Sequence, residues 1–285
     1  KELSLWDLRS GARTALPRSA PVYTSAVSAD GQLLCVAAGD GLAMYRLTPR
    51  GAGGQGEPPR AELQWEIAPG TRFCGVAFSR DGTLVAAARW ESGVLEIRDA
   101  RSNSAVRVIE DFPAVQHGEG QNCLAFSEEV LAVAGRYGKP NQKQVRLYRV
   151  QPDFEVLTTL TVPGARAHSL AMSPGGTKLA VGMHPDGVAI YSSENGWADV
   201  PLCLGTAGVC STAFSHDGRF LCTGSHPEGV FAIWDVEAAV CIRAMRTGDY
   251  HACAFSPADD LLATYSLQVH RTSLAHVRER PEHAT

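Results

Sequence analysis

The clearest indication of the fold is the stretch Ala213-Phe214-Ser215-His216-Asp217-Gly218 (AFSHDG), because close relatives of it recur along the chain. The Ala-Phe-Ser part, or a conservative variant of it, begins at Ala26, Ala77, Ala125, Ala171, Ala213 and Ala254. Successive alanines are 51, 48, 46, 42 and 41 residues apart. A period of ~40–45 residues is typical of an array of four-stranded β units, so the repeat predicts an all-β protein.

Each repeat has the same internal order. A turn signal follows the anchor at Asp30-Gly31, Asp81-Gly82, Gly175-Gly176, Asp217-Gly218 and Asp259-Asp260. An apolar run such as LLCVAA (33–38) comes next, then an alternating segment such as GVFAIWD (229–235), and then a more polar stretch. Asp-Gly favours tight hairpins, and short apolar runs bounded by turns predict buried strands. Every repeat therefore predicts four strands, a to d.

Two dipeptides carry a resemblance to a known family. Trp6-Asp7 and Trp234-Asp235 resemble the signature that ends strand c in WD-repeat proteins, and AFSxDG resembles the family's a–b hairpin. The resemblance implies a WD-repeat β-propeller of four-stranded antiparallel blades. The other repeats are degenerate at the signature position, as at Tyr45-Arg46 and Tyr191-Ser192. Packing of apolar side chains between blades is therefore expected to supply most of the stability.

The two ends of the chain bear on the number of blades. The chain begins within a strand c (Leu3–Leu8), followed by a strand d near Thr14–Pro17. The last repeat predicts strands at His251–Ser256, Leu261–Ser266 and Gln268–Leu274. We expect seven blades, the first lacking strands a and b, with a six-bladed ring closed by the N-terminal strand as the alternative. Residues 1–275 are predicted to form one propeller domain, and residues 276–285 a charged tail.

Composition narrows the function classes. The chain has 285 residues, is 45% hydrophobic and 20% charged, and has a formal net charge of −4. This balance argues against nucleic acid and acidic membranes as partners. The eight cysteines form no CxxC pair and lie mostly in apolar strand-like runs, which predicts buried core residues in a reducing compartment. We therefore expect an intracellular protein, cytoplasmic or nuclear.

One column of the repeat is a candidate site. The position four residues before the last apolar residue of each anchor holds Tyr23, Cys74, Asn122, His168, Cys210 and His251. Repeat symmetry predicts that these residues line one rim of the central channel. Two Cys and two His suggest zinc, but equivalent positions on different blades are too far apart to share one ion. We therefore predict no metal and no cofactor, and a partner-contact rim of Tyr23, Asn122, His168 and His251.

Two longer connections are predicted as loops. Residues Thr48–Pro59 (TPRGAGGQGEPP) have almost nothing to bury, and are predicted to form a flexible c–d loop. The b–c hairpin at Arg136–Gln144 carries Arg136, Lys139 and Lys143. It is either a solvated hairpin or a contact loop for an acidic partner.

No catalytic motif accompanies the repeats. The sequence contains no GxSxG elbow, no HExxH and no Walker-type loop, and its paired acids such as Glu128-Glu129 fall in predicted turns. We therefore predict a non-catalytic scaffold or adaptor for other proteins, a monomeric ring within a larger assembly. One alternative rests on Trp6-Asp7-Leu8-Arg9, which resembles the WDxR motif of substrate receptors of cullin-RING ubiquitin ligases. A propeller-framed enzyme is the third hypothesis.

Overall fold

The structure is a computed structural model that consists almost entirely of β-strands. It describes residues 3–6, 13–16, 21–48, 59–67, 70–89, 93–110, 123–136, 143–162, 166–198, 202–205, 208–225, 228–246, 252–256, 261–264 and 269–271. The chain divides into two compact units, Lys1–Thr161 and Val162–Thr285.

The first unit contains fourteen strands in the described residues. They are β1 (Leu3–Trp6), β2 (Arg13–Leu16), β3 (Val22–Val27), β4 (Leu33–Ala38), β5 (Gly41–Thr48), β6 (Arg60–Ile67), β7 (Phe73–Phe78), β8 (Leu84–Arg89), β9 (Leu95–Asp99), β10 (Ala105–Ile109), β11 (Leu124–Phe126), β12 (Val130–Arg136), β13 (Lys143–Arg149) and β14 (Glu155–Thr161).

The second unit contains eleven described strands and one short 3-10 helix, Ser193–Asn195. The strands are β15 (Arg166–Met172), β16 (Lys178–His184), β17 (Gly187–Ser192), β18 (Leu202–Leu204), β19 (Val209–Phe214), β20 (Phe220–Ser225), β21 (Val230–Asp235), β22 (Val240–Arg246), β23 (Cys253–Phe255), β24 (Leu261–Thr264) and β25 (Val269–Arg271).

The strands pair as the repeat predicts. Five antiparallel four-stranded sheets have the sequential order a-b-c-d, and they comprise β3–β6, β7–β10, β11–β14, β15–β18 and β19–β22. In the described residues, β1 and β2 form a two-stranded sheet, and β23 to β25 form a three-stranded one. These two sheets occupy the predicted c–d and a–b–c positions at the ends of the chain. The number of blades remains a prediction.

Strands b and c are buried on both faces, which explains their nearly continuous apolar sequence. In the first unit, alternate residues of β4 and β5 point to opposite sides. Leu34, Val36 and Tyr45 pack with Leu16 of the β1–β2 sheet. The other face joins a cluster with the β7–β10 sheet that contains Leu33, Cys35, Leu42, Met44, Phe73, Val76 and Phe78. Each sheet therefore buries one face against each neighbour, as a period of two along a strand dictates.

The second unit repeats this packing. One apolar cluster joins the β15–β18 and β19–β22 sheets and includes Val188, Ile190, Leu204 and Leu221. Another joins the β19–β22 sheet to β23 and includes Phe220, Phe231, Ile233 and Phe255. Stacked apolar faces of this kind are the dominant stabilising term in repeat proteins.

The a–b turns are closed by the anchor serine. At the first anchor, the Ser28 hydroxyl donates to Asp30 Oδ1 at 2.5 Å and accepts from the Leu33 backbone N–H at 2.9 Å. Ser79 with Asp81 and Ser215 with Asp217 form the same contact at 2.6 Å. The AFSxDG stretch therefore forms a hydrogen-bonded turn, which confirms its predicted place between strands a and b.

The predicted c–d connection after Thr48 is confirmed by the direct pairing of β5 with β6. Its residues 49–58 lie outside the described residues, as does the predicted tail at residues 276–285.

Candidate functional site

The predicted rim positions coincide with a recurring irregularity of strand a. The a–b pairing shifts register between Val22 and Thr24, Phe73 and Gly75, Ala167 and Ser169, and Val209 and Ser211. The extra residue in each case is the predicted rim residue. We call Tyr23, Cys74, His168 and Cys210 the bulge row. A β-bulge takes one residue out of the regular ladder and redirects its side chain, so these four positions share a special geometry.

The two members of the bulge row in the first unit differ in exposure. Tyr23 is half-buried, whereas Cys74 is buried and its thiol donates to the Ala88 carbonyl at 3.5 Å. A partner at the surface therefore has access to Tyr23 but not to Cys74.

The bulge row in the second unit contains His168 and Cys210, and both are half-buried. The His168 ring lies against the ring of His184, with centroids 5.5 Å apart and planes inclined by 49°. His184 ends strand b of the same sheet, and its proximity to His168 was not predicted. His184 opens a His-Pro-x-Gly stretch that recurs at 226–229, but this recurrence does not point to a contact with His168.

Four residues that the sequence singled out lie outside the part of the chain that the structure describes, and two lie at its edge. Asn122, His251, Lys139 and Asp7 lie outside the described residues. Arg136 and Lys143 form the last pair of the β12–β13 hairpin, so the predicted contact loop is a b–c connection.

The signature dipeptide of β21 is held by side-chain hydrogen bonds. The Trp234 indole N–H donates to Thr223 Oγ1 on strand b at 2.9 Å. Asp235 is buried and accepts from the Arg219 guanidinium at 3.1 Å and from the Ala238 backbone N–H at 3.1 Å. These contacts tie strand c to strand b and close the c–d turn.

Trp6 is placed differently from Trp234. It ends β1 in the two-stranded sheet, is 43% exposed, and has the Arg13 guanidinium 5.8 Å from its ring centroid. Such an arrangement is a surface cation–π contact.

The most deeply buried acid in the described part of the chain is Glu96 on β9, which was not singled out in the sequence. Its side chain is 1% exposed and lies between Arg89 and Arg98. Arg98 Nε donates to Glu96 Oε2 at 2.6 Å, and Arg98 also donates to the Asn103 carbonyl at 2.8 Å. Because two guanidinium groups neutralise and enclose this carboxylate, it is a structural ion cluster rather than an exposed acid or base.

In the same described residues, no group of three or more His, Cys, Asp or Glu side chains is placed to hold a metal ion. Among those residues, no helix has both the length and the apolar character that a membrane crossing requires.

Comparisons with known proteins agree with the architecture. The family described as WD domain, G-beta repeat matches residues 202–235, which run from the start of β18 through Asp235 at the end of β21. No curated protein sequence matches the chain significantly.

Among solved structures, 1573 chains match significantly, and a fold so widely shared does not specify a function. One is a chain of the structure described as Crystal Structure of Mitotic Checkpoint Complex. It superposes with a TM-score of 0.64 at 17% identity, over 85% of this chain and 70% of that chain.

Proposed function

We propose that this chain, which is a WD-repeat protein with a β-propeller fold, is a non-catalytic scaffold that binds other proteins within a larger assembly. The observation that carries the proposal is the bulge row. It sets tyrosine, cysteine or histidine at the same place in four copies of an otherwise uniform unit. A rigid frame that presents varied side chains at equivalent positions suits recognition of a protein surface.

The polar side chains of the described core support a binding role over catalysis. Glu96 is enclosed by Arg89 and Arg98, and Asp235 by Arg219 and a backbone N–H. These groups are committed to structure. A side chain that acts as a general acid or base must lie within hydrogen-bond reach of the substrate.

The proposed contact residues are Tyr23 in the first unit and His168 in the second, together with the predicted rim residues Asn122 and His251 and the hairpin residues Arg136, Lys139 and Lys143. Tyr23 and His168 are half-buried. A half-buried tyrosine or histidine offers an apolar body and a polar group, the combination enriched in protein interfaces.

We further propose an intracellular location, cytoplasmic or nuclear. Cys74, Cys123, Cys222, Cys241 and Cys253 are free thiols. Several free thiols in one chain are typical of proteins from a reducing compartment.

The test is affinity purification with the full chain and two matched double variants. Tyr23→Ala with His168→Ala removes two proposed contacts. Leu63→Ala with Val156→Ala removes two side chains that are 51% and 54% exposed on strands d. We expect a partner in stoichiometric amount with the wild type and the strand-d variant, and at least about tenfold weaker binding, or 1.4 kcal/mol, with the first variant.

Equal binding by both variants would contradict the proposed surface. Absence of any partner, together with a small molecule that raises the melting temperature, would contradict the scaffold and favour a ligand-binding enzyme.

A further inference from the structure

Two pairs of neighbouring cysteines connect adjacent sheets in the described chain, one pair in each unit. Cys74 of β7 lies beside Cys123, which precedes β11, and Cys222 of β20 lies beside Cys253 of β23. All four are free thiols. Cys253 packs against the apolar cluster that contains Cys222, and the Cys123 sulfur lies against Gly75, the residue after Cys74. The pairs differ in their surroundings.

Cys253 sits in a polar environment. Its sulfur lies 3.2 Å from Ser211 Oγ and 3.7 Å from the Cys222 carbonyl oxygen, and its backbone N–H donates to Ser211 Oγ at 3.1 Å. The hydrogen bond from the Cys222 thiol lowers the pKa of Cys253 against the opposing effect of burial, and the Ser211 hydroxyl lowers it further. The Ser211 hydroxyl is therefore placed to donate to a thiolate at Cys253, which is half-buried on the short strand β23.

Cys222 is the complementary member of this pair. It is completely buried within the apolar cluster that joins the β19–β22 sheet to β23. Its interaction with Cys253 and, to a smaller extent, its burial raise the pKa of the Cys222 thiol well above its usual range. Cys222 therefore stays protonated and out of reach of an external reagent, but within reach of Cys253.

We propose that Cys253 is a site of reversible oxidation by hydroperoxides and that Cys222 is its resolving thiol. The product is a disulfide that cross-links strand b of one sheet (β20) to strand a of the next (β23). The Ser211 hydroxyl is the positioning group that holds the Cys253 sulfur between the two strands.

The chemistry balances with hydrogen peroxide as the oxidant. The Cys253 thiolate attacks one peroxide oxygen, the O–O bond breaks, and hydroxide leaves, so sulfur is oxidised by two electrons to a sulfenic acid. The Cys222 sulfur then attacks the Cys253 sulfur and displaces the hydroxyl group, which leaves as water with the Cys222 thiol proton. The hydroxide of the first step takes up the proton that Cys253 released on ionisation. Two thiols and one peroxide give one disulfide and two waters.

The other pair provides an internal control. Cys74 is 4% exposed and Cys123 is 3% exposed. The contact with Cys74 and burial raise the pKa of Cys123 well above its usual range, and Cys74 donates to the Ala88 carbonyl. Thiol proximity is therefore present in both pairs, whereas Cys253 alone among these four thiols is partly exposed. Thiolate character and exposure together determine susceptibility to oxidation.

The first experiment treats the folded full chain with hydrogen peroxide, alkylates the remaining thiols, and maps the tryptic peptides by mass spectrometry. Trypsin places Cys253 in residues 247–271, and Cys222 together with Cys241 in residues 220–243. We expect a disulfide between these two peptides in the wild type and in Cys241→Ser. Cys74 and Cys123 should remain alkylated as free thiols. Because Cys241 is exposed, that variant excludes it as the partner.

Two further variants follow the individual steps. In Cys222→Ala, peroxide should leave a sulfenic acid at Cys253 that dimedone traps, and Cys253→Ser should form neither product. Circular dichroism checks that each variant folds, and the wild-type peptide map tests the proposal even if Cys222→Ala does not fold. With native protein at neutral pH, iodoacetamide should label Cys253 at least about tenfold faster than Cys74.

Three results would overturn the proposal. They are a disulfide from Cys253 to Cys241 in place of Cys222, oxidation of Cys74 and Cys123 at the same rate as Cys253, and reaction of Cys253 only after the protein is unfolded.

Discussion

At the scale of single residues, Glu96 shows how a charge is accommodated inside a sheet. It lies on strand c between Ala87 of strand b and Val108 of strand d, both of them apolar. Arg89 and Arg98 approach it from the two ends, and their side chains are 35% and 17% exposed. A buried carboxylate is tolerated when it is paired, and removal of one partner leaves the others uncompensated.

We predict that Glu96→Gln lowers the free energy of unfolding by about 2 kcal/mol, less than for a fully buried pair because both arginines reach solvent. Urea denaturation measures the change. The matched control is Glu62→Gln on the exposed surface of β6, which should shift the free energy by less than about 0.5 kcal/mol. Equal effects of the two substitutions would contradict a structural role of the cluster.

At the scale of elements, the c–d turns share a residue with left-handed backbone. Asn103, Phe154, Trp197 and Ala239 have φ angles of 62°, 55°, 61° and 56°. Phe154 and Trp197 are buried, so their side chains contribute packing as well as strain. Ala239 is exposed and comes directly before β22, so its Cβ contributes strain and little packing.

We predict that Ala239→Gly raises the free energy of unfolding by about 0.5–1 kcal/mol, because relief of the left-handed Cβ strain exceeds the entropic cost of glycine. Ala238→Gly, at the preceding exposed position without a positive φ, should instead lower it by a similar amount. Thermal melts of the two variants give the comparison. A loss of stability in both would show that the Ala239 backbone is not strained.

Close approach of neighbouring sheets depends on small residues. A Cβ built on Gly182 of β16 would overlap Ser169 Oγ and lie 2.9 Å from Val209 Cγ1 of β19 in the next sheet. Ser169 also accepts from Thr212 of β19 at 3.2 Å, so this junction combines tight packing with a buried hydrogen bond.

Gly182→Ala is expected to lower the free energy of unfolding by about 1–3 kcal/mol, because the extra methyl group separates β16 from β19. Gly175→Ala serves as the control, since its Cβ would meet only Thr177 Oγ1 at 3.9 Å. That variant should be neutral or slightly stabilising. A neutral Gly182→Ala in denaturant titrations would contradict the close contact.

At the scale of the whole molecule, the repeated turns make stability depend on pH. The hydrogen bonds from the Ser28 hydroxyl and then the Gln32 N–H lower the pKa of Asp30 below its ordinary value of 3.8. At Asp81, hydrogen bonds from Ser79 and Thr83 lower the pKa despite the opposing and larger single effect of burial. A carboxyl group whose pKa is lower in the folded state stabilises the fold above its unfolded pKa. That stabilisation is lost as the pH falls through the folded pKa.

We predict that the double variant Asp30→Asn with Asp81→Asn is less stable than the wild type at neutral pH. The difference should begin to shrink below about pH 4, where the carboxyl groups of the unfolded wild type take up protons, and should be lost once the pH falls through the lowered pKa values of the folded state. Denaturation midpoints across this range measure it. If the difference between the two proteins is constant down to about pH 3, the turn carboxylates do not contribute through their charge.

The repeat, the order of four strands in each sheet, the position of the a–b turns and the WD-repeat resemblance could be predicted from the sequence. These features follow from the order of residues along the chain. Side chains alternate with a period of two in a strand, and Asp-Gly favours a tight turn between strands. The column of Tyr23, Cys74, His168 and Cys210 was also found from spacing.

That this column consists of β-bulges could be seen only once the strands were paired, because a bulge arises from the pairing of two strands and not from either alone. The same holds for the burial of Cys74, the ring contact of His168 with His184 and the enclosure of Glu96. Cys222 and Cys253 meet although 31 residues separate them, because adjacent sheets stack their strands face to face.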